Sequence, residues 1–216
     1  MTTPPAAPGR GGSRRRPGGR RRSGRIYNIA VGLVLAAVAV GAQHYALTPA
    51  EQEAPLASTG GIREEVATGR YTAKVNTVAA ARSIEAPDGR TMKRIETDKV
   101  FLIVQASVTA PKEPTHIDGV LLTADGKRYE ATDRMPKTLT LANPWIQPGW
   151  WVTGPLVFEV PVEVVAGASL VVLPEQGAML IEPYPPEAVI DLGLDDAAAK
   201  ALVAQAQDPY SMHRNR

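Results

Sequence analysis

The stretch "DKVFLIVQASVTA", Asp98–Ala110, decides the fold. Val100, Leu102, Val104, Ala106 and Val108 alternate along it, which places them on one side of an extended chain. The other side begins apolar with Phe101 and Ile103 and turns polar at Gln105, Ser107 and Thr109. This predicts a β-strand with one face in a core and the first part of the second face also covered.

Working outward, the same period recurs. "PLVFEVP", Pro155–Pro161, directs Leu156, Phe158 and Val160 to one face and Glu159 to the other. "SLVVLPE" (Ser169–Glu175) and "AMLIEP" (Ala178–Pro183) are two more short apolar runs, parted by a turn at Glu175-Gln176-Gly177. In "VLLTADGKRYEAT", Asp125-Gly126 lies between two β-prone runs, a hairpin signal because glycine accepts the positive φ of a tight turn. A second Asp-Gly pair, at 88–89, follows "GRYTAKVNTVAAARSI". Prolines fall at or near the ends of these runs, where a missing N–H harms a ladder least. About seven to nine short strands over residues 69–194 predict an antiparallel sandwich. "DDAAAKALVAQAQ", Asp195–Gln207, predicts a short C-terminal helix capped by Asp195 or Asp196, with a weak apolar face. "DPYSMHRNR" (Asp208–Arg216) is expected to be a loose tail.

Upstream the chemistry is different. Residues 1–25 contain eight arginines and no acid. The remainder then holds 16 basic against 22 acidic residues, about −6, a poor surface for a polyanion. Residues 2–25 consist of Thr, Pro, Ala, Gly, Ser and Arg, so a disordered cytoplasmic tail is expected. Residues 26–47 hold an uninterrupted apolar core, Ile29–Ala42, flanked by Asn28 on one side and Gln43-His44-Tyr45 on the other. As a helix, residues 26–47 rise roughly 33 Å, against roughly 30 Å of hydrocarbon. This predicts a single transmembrane helix, a signal anchor. The alternative is a cleaved signal peptide with Val40-Gly41-Ala42 as its cleavage site. "RRRSGRIYN" does not supply the specific surroundings of a twin-arginine export signal.

Arg14, Arg15, Arg16, Arg20, Arg21, Arg22 and Arg25 flank the span on one side, and Glu51 and Glu53 on the other. Lys/Arg-rich flanks stay cytoplasmic. The N-terminus is therefore expected inside, with the arginines touching the inner leaflet, and the C-terminal domain outside. Nucleic-acid binding is disfavoured, since no aromatic residues interleave with the arginines. Residues 48–68 read as a flexible linker, and 195–216 as helix and tail.

The ordered set "GRYTAKVNTVAAAR", "DKVFLIVQASVT", "VLLTADGKRYEA", "IQPGWWVTGPLVFEVP" and "ASLVVL", spanning about residues 66–192, resembles a bacterial family of immunoglobulin-like domains of unknown function. That family occurs in secreted and membrane-anchored proteins of Gram-positive bacteria. Its strongest marks here are Pro148-Gly149, Gly154 with Leu156-Val157-Phe158, and the Asp125-Gly126 hairpin. The chain departs from the pattern at "SVTAPKEP" and in having Trp150-Trp151 after the Pro-Gly. The resemblance implies an immunoglobulin-like sandwich and an extracytoplasmic location; it carries no reaction.

Chemistry-bearing residues are sparse. There is no cysteine, so disulfides and thiolate chemistry are excluded. The serines sit in no G-x-S-x-G or S-x-x-K frame, and neither a P-loop nor a dinucleotide fingerprint occurs. His116 with Asp118 has the spacing of a general-base pair, though a solvated loop pair is the preferred reading. Asp118, Asp125 and Asp133 are oxygen donors of the kind Ca²⁺ takes, but lack regular loop spacing, and no metal or cofactor is expected. All the tryptophan lies in "NPWIQPGWW": Trp145, Trp150 and Trp151. Neighbours on a strand face opposite ways, so one of Trp150 and Trp151 is expected inside. The plainer reading lays the outward ring on Asn143–Gln147 or on the C-terminal helix; the other makes the three rings a partner-binding patch. The expected protein is mainly β: a single transmembrane helix followed by an immunoglobulin-like antiparallel β-sandwich with a short C-terminal helix. Its expected role is non-catalytic, binding an envelope protein or glycan, with a transport or secretion assembly as the setting suggested by analogy. A secreted binding protein is the alternative, and an envelope hydrolase the third.

Overall fold

The computed structural model describes residues 31–36, 38, 55–175 and 184–212. The chain divides into two units, Met1–Thr48 and Pro49–Arg216. In the first, residues 31–36 and 38 are helical and exposed; the rest of the expected span, and the basic tail, lie outside the described residues. No helix among the described residues is long and apolar enough to cross a membrane.

The second unit is mainly β. In chain order its elements are β1 (Leu56–Gly61), β2 (Val66–Ala67), β3 (Thr72–Asp88), β4 (Thr91–Thr109), β5 (Ile117–Leu122), β6 (Arg128–Glu130), β7 (Val152–Val160), β8 (Ser169–Pro174), β9 (Pro186–Asp191), α1 (Asp196–Ala204) and β10 (Tyr210–Ser211). One sheet runs β1-β9-β8-β5-β6 and the other β10-β3-β4-β7, with β2 added to β3. Most pairings are antiparallel, but β1–β9 and β10–β3 are parallel.

The alternation in Asp98–Ala110 becomes layering. Val100, Leu102, Val104, Ala106 and Val108 enter the main core, together with Leu156, Phe158 and Val160 of β7 and Leu121, Leu170, Val172 and Ile190 of the facing sheet. Phe101, Ile103 and Val157 point the other way into a second cluster, which Met135, Leu139 and Met212 help form. The second face of β4 is thus covered where it is apolar. Asp125-Gly126 turns between β5 and β6 with Gly126 at φ 81°, and Gly89 turns between β3 and β4 at φ 63°. Asp195 caps α1, its carboxylate accepting from the Ala198 N–H (2.7 Å).

Two expectations need correction. Residues 56–61 and 66–67 are not linker: "LASTGG" is the edge strand β1, held by its backbone to β9 rather than by apolar side chains. The tail is not loose up to Met212: Tyr210–Ser211 pairs with Ile84–Glu85, and Met212 is buried. "PEAVID" supplies a further strand of the first sheet, β9, and the expected run "AMLIEP" lies in 178–183, outside the described residues.

Tyr71 fastens the two sheets. It is fully buried just ahead of β3, and its hydroxyl donates to the Val172 carbonyl of β8 (2.6 Å). The same oxygen lies 3.1 Å from the Pro186 carbonyl and accepts from the Ala188 N–H (3.2 Å) of β9. Burial pushes the phenol well above its ordinary pKa, so it stays a neutral donor. Tyr71→Phe leaves these backbone groups short of a partner and is expected to cost about 1–3 kcal/mol, read as a lowered urea midpoint.

Candidate functional site

The tryptophans gather at one end of the sandwich, and backbone register defines that end. Leu56 pairs with Pro186, Ile117 pairs with Pro174, and Val172 pairs with Ala188, which brings Pro174 level with Pro186. Leu56, Pro186, Pro174 and Ile117 therefore form the terminal row of their sheet. In the other sheet the matching end is set by Thr72 opposite Thr109 and Val108 opposite Val152. Trp145 and the Trp150-Trp151 pair lie on the connection from 143 to 151, just ahead of Val152.

That connection is held by its backbone. Thr115 and Ile146 exchange both hydrogen bonds (3.1 and 2.8 Å), and the Gly149 N–H donates to the Ala110 carbonyl (2.9 Å). The Trp150 N–H donates to the Gln147 carbonyl (3.2 Å), closing a turn in which Gly149 takes φ 76°, the left-handed region that favours glycine. Ile146 is buried, so the segment is nailed down between its tryptophans.

The rings themselves stay in solvent. Trp145 is 61 % exposed, Trp150 73 % and Trp151 44 %. The expectation that one of the adjacent pair enters the core is overturned, because β7 begins only at Val152 and both rings stand on the turn before it, where strand alternation does not apply. Trp151 receives the Lys74 ammonium 5.0 Å from its ring centre. Lys74 also pairs with Glu65 (3.1 Å). The C-terminal helix covers none of the three: the segment after it bonds to Ala80 and Arg82, well along β3 from Thr72.

His116 does not pair with Asp118. Its Nδ1 lies 2.5 Å from Glu175 Oε2 and its Nε2 lies 3.0 Å from the Asn143 carbonyl. Both ring nitrogens are thus engaged, and the imidazole is held beside Trp145 at 5.3 Å between ring centres, tilted by 42°. Asp118 instead accepts from the Gly119 N–H (2.7 Å). These contacts fix the imidazole against Trp145.

The three aspartates do not converge either. Asp125 sits on its hairpin turn, paired with Lys127 (2.8 Å) and accepting from the Thr123 hydroxyl. The hydrogen bonds from Lys127 and Thr123 hold its carboxyl down at about 2. Asp118 and Asp133 line a cleft of about 560 Å³ beside the His116–Glu175 pair, along with Glu130, Glu175, Lys137 and Met135. Among the described residues, no three His, Asp or Glu side chains come together as a metal set.

Glu175, Asn143 and Lys74, which complete the surroundings of the rings, are not signalled by any local motif. Glu175 is 59 residues from His116 in sequence, and only the β5–β8 pairing brings them together. The arginines at 14, 15, 16, 20, 21, 22 and 25 lie outside the described residues.

These features define a mainly β protein, two sheets packed as a sandwich with few helices. No family model and no curated protein sequence matches the chain. Among solved structures it is similar to the yjhA protein from Bacillus subtilis, at 17 % identity and a TM-score of 0.44, over 61 % of this chain and 99 % of that one. It is also similar to an uncharacterized beta-sandwich protein from Clostridium difficile 630, at 12 % identity and a TM-score of 0.39, over 63 % and 95 % of the two chains.

Proposed function

We propose that the chain is a single-pass membrane protein whose immunoglobulin-like sandwich is displayed on the outer face as a non-catalytic binding module, with the tryptophan end as its contact surface. The observation that carries the reading is the charge asymmetry around residues 26–47: seven arginines immediately before the apolar run, and two glutamates with no base in the segment after it up to Arg63. An orientation with the sandwich outside keeps the arginines with the anionic inner leaflet and exports the acidic part.

Three exposed indoles on a hydrogen-bonded loop support a contact surface, since tryptophan is prominent among residues that dominate binding energies. A non-catalytic role is supported by His116, the strongest base candidate, having both ring nitrogens engaged by groups of its own chain.

Fractionation with intact-mass measurement tests this. The expected result is the uncleaved chain, beginning at or next to Met1, in the membrane fraction and resistant to a carbonate wash. A chain beginning near Gln43 and found in the medium contradicts the anchor and establishes the secreted reading, which Val40-Gly41-Ala42 favours.

A further inference from the structure

We infer that the tryptophan end docks on the same bilayer that carries the anchor, Trp145, Trp150 and Trp151 seating among phospholipid headgroups; the inference rests on the anchored reading above. The first support is topological. The chain enters the sandwich at Leu56, in the terminal row that also contains Ile117, so the linker arrives at the end where the tryptophans stand. Leu56 lies three strands from Ile117, roughly 14 Å at ordinary strand spacing. Leu56 is itself exposed. The opposite end holds the β3–β4 turn and β10, beside Ile84 and Glu85.

The second support is length. Eight residues, Thr48–Pro55, separate Leu47 from Leu56. Fully extended they reach at most about 30 Å, so Leu56 is tethered within about that distance of Leu47. Lipid is then present at high effective concentration, while a protein or glycan partner must arrive by diffusion.

The third support is chemical. Residues 143–151 contain no charged side chain, so seating them at the headgroup level desolvates no ion of that segment, and the Asn143 and Gln147 amides can stay hydrated there. Tryptophan is enriched at the membrane–water boundary because its ring is apolar while its indole N–H remains a donor. The loop is already fixed by the Thr115–Ile146 and Ala110–Gly149 hydrogen bonds, so little ordering remains to be done on contact. The charges around the loop are balanced: Lys74 beside Trp151 is paired with Glu65, Lys112 is followed by Glu113, and Glu175 is held by His116, so the contact rests on the rings and not on net charge.

The chain carries its own reporter, because it has no tryptophan other than these three. The full-length protein is reconstituted into phosphatidylcholine vesicles, plain or brominated at a shallow acyl position. Flotation after a carbonate wash is scored on the same samples. The expected result is flotation, a blue-shifted emission, and loss of about half the intensity in the brominated vesicles, as rings at the boundary would give. Trp150→Ala/Trp151→Ala should remove most of the quenchable signal and still float. Flotation with unshifted, unquenched emission overturns the docking and leaves the anchor standing. Failure to float overturns the anchor and the docking together.

Discussion

Phe158→Ala is expected to lower the unfolding free energy by about 3–5 kcal/mol. Phe158 is fully buried on the edge strand β7, opposite Leu102 in the β4–β7 ladder, and belongs to the cluster that joins the two sheets. Removing the ring loses its transfer free energy and leaves a cavity that surrounding strands, fixed by their ladders, fill only in part. Since domains of this size have a margin of about 5–15 kcal/mol, a single substitution consumes a large part of it. Trp150→Ala is the counterpart. It removes a larger side chain from an exposed turn and is expected to change stability by no more than about 0.5 kcal/mol. Urea titrations followed by far-ultraviolet circular dichroism measure both. The reverse order, with Trp150 costing several kcal/mol and Phe158 little, would show that the inside and outside of the sandwich have been misassigned.

The second large effect concerns orientation. Replacing Arg14, Arg15, Arg16, Arg20, Arg21, Arg22 and Arg25 by glutamine leaves Arg10 as the one base before the span. An arginine at the centre of a membrane helix costs about 2.5–3.5 kcal/mol, and it is the basic flanks that set which end is retained in the cytoplasm. With that bias removed, a mixed population is expected, with about half the chains inverted. An unchanged single orientation would show that the arginines do not direct insertion, and would leave their number unexplained.

The parts of this fold that were legible are those in which side-chain chemistry reports backbone state. Val100 through Val108 alternate because one face of β4 meets the opposite sheet, and Phe101 and Ile103 interrupt the polar face because Met135, Leu139 and Met212 lie in the cluster on that side. β1 was illegible for the converse reason. An edge strand such as Leu56–Gly61 is held by main-chain pairing with β9, which "LASTGG" does not advertise in its side chains. "PEAVID", opened by a proline and carrying two acids, nonetheless supplies Ala188 and Ile190 to the core.

At the candidate site, composition located the tryptophans, but their exposure depended on where β7 starts, one residue beyond Trp151. In the sequence His116 stands out for Asp118 two positions away, but it is held by Glu175 and Asn143, which reach it through the sheet and the loop. Tyr71 reads as one more residue in "GRYTAKV", although its hydroxyl meets the backbones of β8 and β9. Contacts of this sequence separation leave no local pattern.

Because the chain has no cysteine, topology can be read from single introduced thiols: Ser13→Cys in the basic segment, and Arg90→Cys at the exposed turn between β3 and β4. Intact cells are treated with a membrane-impermeant maleimide, and the membrane fraction is then assayed. The account predicts that the thiol at 90 labels on intact cells and the thiol at 13 only after permeabilisation. Labelling at 13 with protection at 90, on a chain still held in the membrane, would contradict it.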